Sequence, residues 1–168
     1  HLVKSGKEVI VITSGAVGLG KKRLNLEDTQ GTALKQACAA IGQGKLMSIY
    51  ESGFETYGLI AAQILLTEDD FSVRERYLSL RTTLNKLLEL GAIPVINQND
   101  TVSTLDVALR YVKEDMQVCF SDNDKLSALV ASELAADVLI ILSDTDGLYS
   151  DNPKTNPNAE LIKKVDKV

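Results

Sequence analysis

Residues able to do chemistry fall into four short polar stretches, each following an apolar run. The first is Thr13-Ser14-Gly15-Ala16-Val17-Gly18-Leu19-Gly20. Its glycines and alanine let backbone N–H groups approach an anion closely, and its hydroxyls add donors, so it has the form of an anion cradle. It is neither a GxGxxG dinucleotide fingerprint nor a Gly-Lys-Ser/Thr phosphate loop, and a tight strand-to-helix turn would look similar. The second, Asn97-Gln98-Asn99-Asp100-Thr101, holds more polar side chains than a loop needs. Asp100 could serve only as the N-cap of a following helix, but the amides beside it suit an amino acid's ammonium and carboxylate. The third, Ser121-Asp122-Asn123-Asp124, places two carboxylates immediately before a helical pattern, where the helix dipole alone would favour them. The fourth is Ser143-Asp144-Thr145-Asp146-Gly147-Leu148-Tyr149.

These residue types narrow the reaction. The chain has a single histidine, His1, and neither Cys38 nor Cys119 has a base nearby in the sequence. Ser14 lacks a Gly-x-Ser-x-Gly elbow, so acyl transfer by a triad is disfavoured. Acid-base hydrolysis by paired carboxylates is conceivable. Phosphoryl transfer fits better, because it asks mainly for donors around the moving group, cations, and carboxylates that orient them.

The elements that must position these stretches alternate in type. Glu8 to Thr13, Leu59 to Thr67, Ala92 to Asn97 and Asp137 to Ser143 are short continuous apolar runs, the pattern of strands buried on both faces of a parallel sheet. Between them the spacing predicts helices over Ala33 to Tyr57, interrupted near Gly42 and Gly44, over Val73 to Leu90, and over Lys125 to Ala135. Alternation at this spacing means an α/β fold of βαβ units with right-handed crossovers. In such sheets ligands bind beyond the carboxyl ends of the strands, which is where the polar stretches fall. His1 to Lys7 reads as the last turn of a helix closed by Gly6, and Asp151 to Asn158 as a turn-rich loop.

Composition sets the outer bounds. A chain of 168 residues, 45% hydrophobic, can bury one substantial core. A net charge of -5 offers no basic footprint for nucleic acid or an anionic membrane. No apolar run reaches the roughly 18 residues needed to span a bilayer, and the start lacks a signal-peptide pattern, so a soluble cytoplasmic protein is expected. Cys38 and Cys119 lack metal-site spacing and read as buried free thiols. Both ends read as interrupted, which suggests a fragment of a longer domain.

Seven blocks, in order, resemble the glutamate kinase branch of the amino acid kinase family. They are Ile12-Thr13-Ser14-Gly15-Ala16-Val17-x-x-Gly20, Lys35-Gln36-Ala37-x-x-Ala40-x-Gly42-Gln43, Ala62-Gln63-Ile64-Leu65-Leu66-Thr67, Arg74-x-Arg76-Tyr77-Leu78, Ile93-Pro94-Val95-Ile96-Asn97-x-Asn99-Asp100-Thr101-Val102, Asp122-Asn123-Asp124-x-Leu126-Ser127-Ala128-Leu129-Val130-Ala131 and Leu142-Ser143-Asp144-x-x-Gly147-Leu148-Tyr149. The kinase domain of the bifunctional pyrroline-5-carboxylate synthases is similar. The resemblance covers the whole chain and implies an αβα three-layer sandwich around a mostly parallel open sheet.

It also implies phosphorylation of the γ-carboxylate of L-glutamate by ATP with Mg²⁺, the first step of proline biosynthesis. By motif matching, Ser14 with the Gly15 and Ala16 backbone lies against glutamate or the transferring phosphoryl group, and Asp100 and Asn123 hold the amino acid. Asp124 matches the aspartate that orients the family's catalytic lysines. Ser143 and Asp144 match the nucleotide contacts, with Gly147, Tyr149, Pro153 and Lys154 shaping the adenine side. Mg²⁺ is held mainly by ATP oxygens, and no protein ligand is assigned. Relatives imply a homo-oligomer and feedback inhibition by proline.

Three departures bear on activity. The family's Lys-x-Gly-Ser/Thr motif would precede His1, and its Gly-Thr-Gly-Gly-Met segment with a second phosphate-binding lysine would follow Val168. Without either lysine these residues alone are expected to be nearly inactive. Ser103 to Phe120 is longer than the bacterial pattern and closer in length to the bifunctional plant enzymes. The alternatives are an acetylglutamate kinase, aspartokinase or uridylate kinase type, or a non-catalytic amino-acid-sensing module; a dinucleotide-binding oxidoreductase is disfavoured by the missing fingerprint.

Overall fold

The computed structural model describes residues 1–67, 69–102 and 122–165. The chain divides into two compact units, His1–Ala136 and Asp137–Val168.

The first unit opens as its sequence suggests. A single 3-10 turn, Val3–Ser5, is closed by Gly6 at φ 75°, whose N–H donates to the Val3 carbonyl. Three parallel strands follow in the chain: β1 (Val11–Ile12), β2 (Ile60–Leu66) and β3 (Ala92–Gln98), ordered β1-β3-β2 in the sheet. The helices are α1 (Ala16–Arg23), α2 (Thr32–Glu55), α3 (Asp69–Ser72), α4 (Arg74–Glu89) and α5 (Asp122–Glu133). No helix among the described residues is long and apolar enough to cross a membrane.

The pleat assigns the helices to two layers. Ile12, Ile64 and Ile96 share one row of the ladder, since Ile12 and Ile64 both pair with Ile96. With Ile10 and Leu66 they pack against Leu80 and Leu84 of α4 and Leu126 and Val130 of α5. Alternate residues point to the opposite face, where Thr13 and Asn97 meet side chains of α2. A parallel sheet must be covered on both faces to keep its backbone dry, and this αβα arrangement covers it. Every residue from Ala92 to Asn97 in the central strand is buried.

Two glycines set how closely α1 lies on α2. A Cβ at Gly42 would stand 1.8 Å from the Ala16 carbonyl oxygen, and one at Gly20 would stand 1.8 Å from the Cys38 carbonyl oxygen. Backbone therefore meets backbone at this crossing. The sequence had pointed to an interruption of α2 near Gly42 and Gly44, but the helix runs unbroken through both. A helical glycine costs only about 1 kcal/mol relative to alanine, which the close packing at Gly42 offsets.

The second unit departs from its pattern. The expected strand from Asp137 to Ser143 is absent: the run forms no ladder, and Val138 is 71% and Leu142 93% exposed. β-branched composition suits a buried strand, but a strand exists only where another pairs with it, and no described residue does so. What order the unit has comes from an antiparallel bridge between Tyr149 and Leu161. The Asp151 to Asn158 stretch is turn-rich as expected, with Thr155 and Asn156 N–H groups both donating to the Asn152 carbonyl.

Candidate active site

Because all three strands are parallel, their carboxyl ends open at one edge of the first unit. At the end of β1, the Thr13 N–H donates to the Ile96 carbonyl at 2.9 Å, carrying the pairing one residue past the strand. Thr13 is buried, and its hydroxyl accepts from the Tyr50 hydroxyl at 2.8 Å. The chain then turns through exposed Ser14 and Gly15 into α1. Gly15 adopts φ 107°, with nothing within 4 Å of where a Cβ would lie. No side chain caps this helix start, which leaves its first N–H groups without a side-chain acceptor.

The cradle read over Thr13 to Gly20 is thus shorter than expected. Ala16 to Gly20 are helical, Ala16 is buried, and Gly20 serves the α1–α2 crossing instead of a ligand. From Leu19 onward the helix amides bond carbonyls, the Leu19 N–H donating to Gly15 at 3.0 Å. Ser14, Gly15 and the first turn of α1 keep the anion-binding form.

At the end of β3, Asn97 is only 2% exposed. Its Oδ1 accepts from the Gln98 N–H at 2.9 Å, and its Nδ2 donates to Gln43 Oε1 on α2 at 3.0 Å. Asn99 extends the ladder by donating its N–H to the Leu66 carbonyl at 2.7 Å, and accepts at its side chain from the Thr101 hydroxyl. Asp100 follows in the turn, half-buried. At the end of β2, Thr67 donates both its N–H, at 2.7 Å, and its hydroxyl, at 2.9 Å, to one oxygen of Asp70.

The third stretch is helical from its second residue. α5 begins at Asp122, three residues before the expected Lys125, so Asp124 lies inside its first turn. Asn123 and Asp124 are half-buried. Lys125 and Leu126 line a depression with Leu66, Thr67 and Gln98, which brings the α5 N-terminus to the same edge as the strand ends. The Ser127 hydroxyl donates to the Asp124 carbonyl at 2.7 Å, and Asn123 Oδ1 is buried without a partner among the described residues. Ser121, Cys119 and the stretch from Ser103 to Phe120 lie outside the described residues.

Ser143, Asp144, Gly147 and Tyr149 belong to the second unit. Ser143 and Thr145 share a hydroxyl contact at 3.0 Å, and Lys154 donates to Asp144 at 3.1 Å. Gly147 and Tyr149 lead into the Leu161 bridge. Asp151 is held below the usual aspartate range by hydrogen bonds from the Asn156 side chain and the Asn152 N–H.

No group of three or more His, Cys, Asp or Glu side chains among the described residues is placed to hold a metal ion, and Cys38 is a buried free thiol. Sequence reasoning missed two contributors to this edge. Tyr50 gave no signal, being 37 positions from the threonine it holds. Gln43 lay in a quoted block but had no role, and its Nε2 is buried with no acceptor among the described residues.

Comparison with known proteins agrees with this geometry. The model of the amino acid kinase family matches residues 1–167. A protein named glutamate 5-kinase from Caldanaerobacter subterraneus subsp. tengcongensis is 48% identical over 167 residues, 99% of this chain and 42% of that protein. Proteins of the same name from Geobacter sulfurreducens and Methanosarcina mazei are 48% and 45% identical over 98% and 100% of this chain. The chain spans 42% of the length of these relatives. The sheet, the helix layers and the family match agree: this chain belongs to the amino acid kinase family.

Proposed function

We propose that the protein carrying this chain uses ATP to phosphorylate the γ-carboxylate of L-glutamate, giving L-glutamyl 5-phosphate and ADP as the first step of proline biosynthesis. The observation that carries this reading is the 2.9 Å bond from the Thr13 N–H to the Ile96 carbonyl. It holds the Ser14–Gly15 turn beside the Asn97–Asp100 stretch at one sheet edge. The name shared by relatives at 45–48% identity supports glutamate as the acceptor.

In this reading a glutamate carboxylate oxygen attacks the γ-phosphorus and the bond to the ADP oxygen breaks. Negative charge spread over the phosphoryl oxygens is met by the N–H groups at the start of α1, with Ser14, Gly15 and Ala16 against the glutamate or the moving group. The uncapped helix start and the open space over Gly15 fit an anion there. Asp100 and Asn123 hold the amino acid, the unpartnered Asn123 Oδ1 being a suitable acceptor for its ammonium. Asp124 orients the catalytic cations and is not a base. Ser143, Asp144, Gly147 and Tyr149 contact the nucleotide. Mg²⁺, held by ATP oxygens, would neutralise phosphate charge when bound. A cytoplasmic homo-oligomer inhibited by proline completes the proposal.

The test is the full-length protein with ATP, Mg²⁺, hydroxylamine and a panel of acids. Hydroxamate should form with glutamate and not with N-acetylglutamate or aspartate. Hydroxamate from another acid alone would reassign the substrate.

A further inference from the structure

Buried donors and acceptors are nearly always paired in folded proteins, so an orphan at the edge of a site marks where a ligand atom belongs. Gln43 Nε2 is such an orphan among the described residues, and its orientation is not arbitrary. The Gln98 backbone N–H donates to Asn97 Oδ1 at 2.9 Å, which obliges Asn97 to present its NH₂ to Gln43. That NH₂ donates to Gln43 Oε1 at 3.0 Å. Gln43 must then turn its own NH₂ away from Asn97. The backbone of β3 thus sets the polarity of a two-amide relay that ends in a buried donor.

The relay ends at the edge already described. Gln43 follows Gly42, where an added Cβ would stand 1.8 Å from the Ala16 carbonyl oxygen, so α2 meets the start of α1 backbone to backbone there. Gln43 is thus bonded to Asn97 at the end of β3 and is next in sequence to the glycine that packs on the start of α1. Across the same edge, Asn123 Oδ1 is a buried acceptor with no partner among the described residues. One orphan donor and one orphan acceptor match the two ends of a zwitterion: carboxylate and ammonium.

We propose that Gln43 is a substrate-binding residue whose Nε2 donates to a carboxylate oxygen of the bound amino acid, with Asn97 as the positioning residue that fixes its orientation. This rests on the functional reading above. The relay explains why an amide is used: a carboxylate at position 43 could still accept from Asn97 but would present no donor to the ligand.

The experiment uses the full-length protein with Gln43→Glu and Gln43→Met, each checked for folding by thermal melting. Both variants should raise the glutamate KM about tenfold or more, the scale of a hydrogen bond to a charged group, with the ATP KM within about twofold. Gln43→Glu should raise the glutamate KM more than Gln43→Met, because a carboxylate there repels the substrate carboxylate besides removing the donor. An active protein whose variants keep the unsubstituted glutamate KM, or in which Gln43→Glu is no worse than Gln43→Met, overturns this inference alone. An unsubstituted protein that forms no acyl phosphate from glutamate overturns the functional reading and this inference with it.

Discussion

The Tyr50 hydroxyl donates to Thr13 Oγ1 at 2.8 Å, tying the middle of α2 to the end of β1. The Tyr50 ring packs edge-on against Phe54, centroids 5.9 Å apart, so its direction is fixed by its own helix. Thr13 immediately precedes the Ser14–Gly15 turn, and the contact fixes where that turn leaves the sheet.

Tyr50→Phe keeps the ring packing and removes the bond. It should lower stability by about 1 kcal/mol, read as a shift in the urea midpoint with unchanged slope.

Gly42 and Gly44 lie in the same helix but answer differently to a methyl group. Gly44→Ala meets nothing within 4 Å and should stabilise by about 0.5–1 kcal/mol through helix propensity. Gly42→Ala drives a Cβ into the Ala16 carbonyl, with an expected loss of about 3 kcal/mol or more. Thermal unfolding of the pair, with the unsubstituted protein as reference, checks both signs.

Asp124 separates a capping role from a functional one. As a first-turn acid in α5 it contributes at most about 1 kcal/mol through the helix dipole, whereas orienting the phosphate-binding cations would be worth about 100-fold or more in rate. Asp124→Asn in the full-length protein should therefore melt within a few degrees of the unsubstituted protein while kcat collapses. A kcat near the original value would leave Asp124 as a helix cap.

The Asp151 turn has a defined pH dependence. Its carboxyl is held below the ordinary value by Asn156 and then by the Asn152 N–H. The depressed folded-state value means that the contribution is complete above the ordinary aspartate range and is lost as pH falls through the lowered one. The turn should be insensitive to pH near neutrality. In a carboxyl-carbon NMR titration, Asn156→Ala should move the Asp151 midpoint upward.

Lys154 and Asp144 form an ion pair 69% and 81% exposed at their side chains. Solvent screening leaves such pairs near zero in stability, so Lys154→Ala should leave the melting temperature unchanged within error. A raised ATP KM in the same variant would assign the lysine to the nucleotide.

What the sequence determined on its own is what short-range periodicity encodes. The continuous apolar runs over Leu59 to Thr67 and Ala92 to Asn97 became the parallel strands Ile60–Leu66 and Ala92–Gln98, and the helical spacing over Val73 to Leu90 became α4. Parallel strands put their following loops at one edge, so the sequence alone places Thr13–Gly15 and Asn97–Asp100 together there. Tertiary structure decided the rest, because those choices depend on which surfaces meet. Ala16–Gly20 became helix because α2 offered a groove lined by Gly42. The run from Asp137 to Ser143, apolar enough for a strand, formed none because no described strand pairs with it. Tyr50 and Gln43 reach residues 37 and 54 positions away. Local patterning carries no signal over such distances; the crossing of α2 over the strand ends creates those contacts.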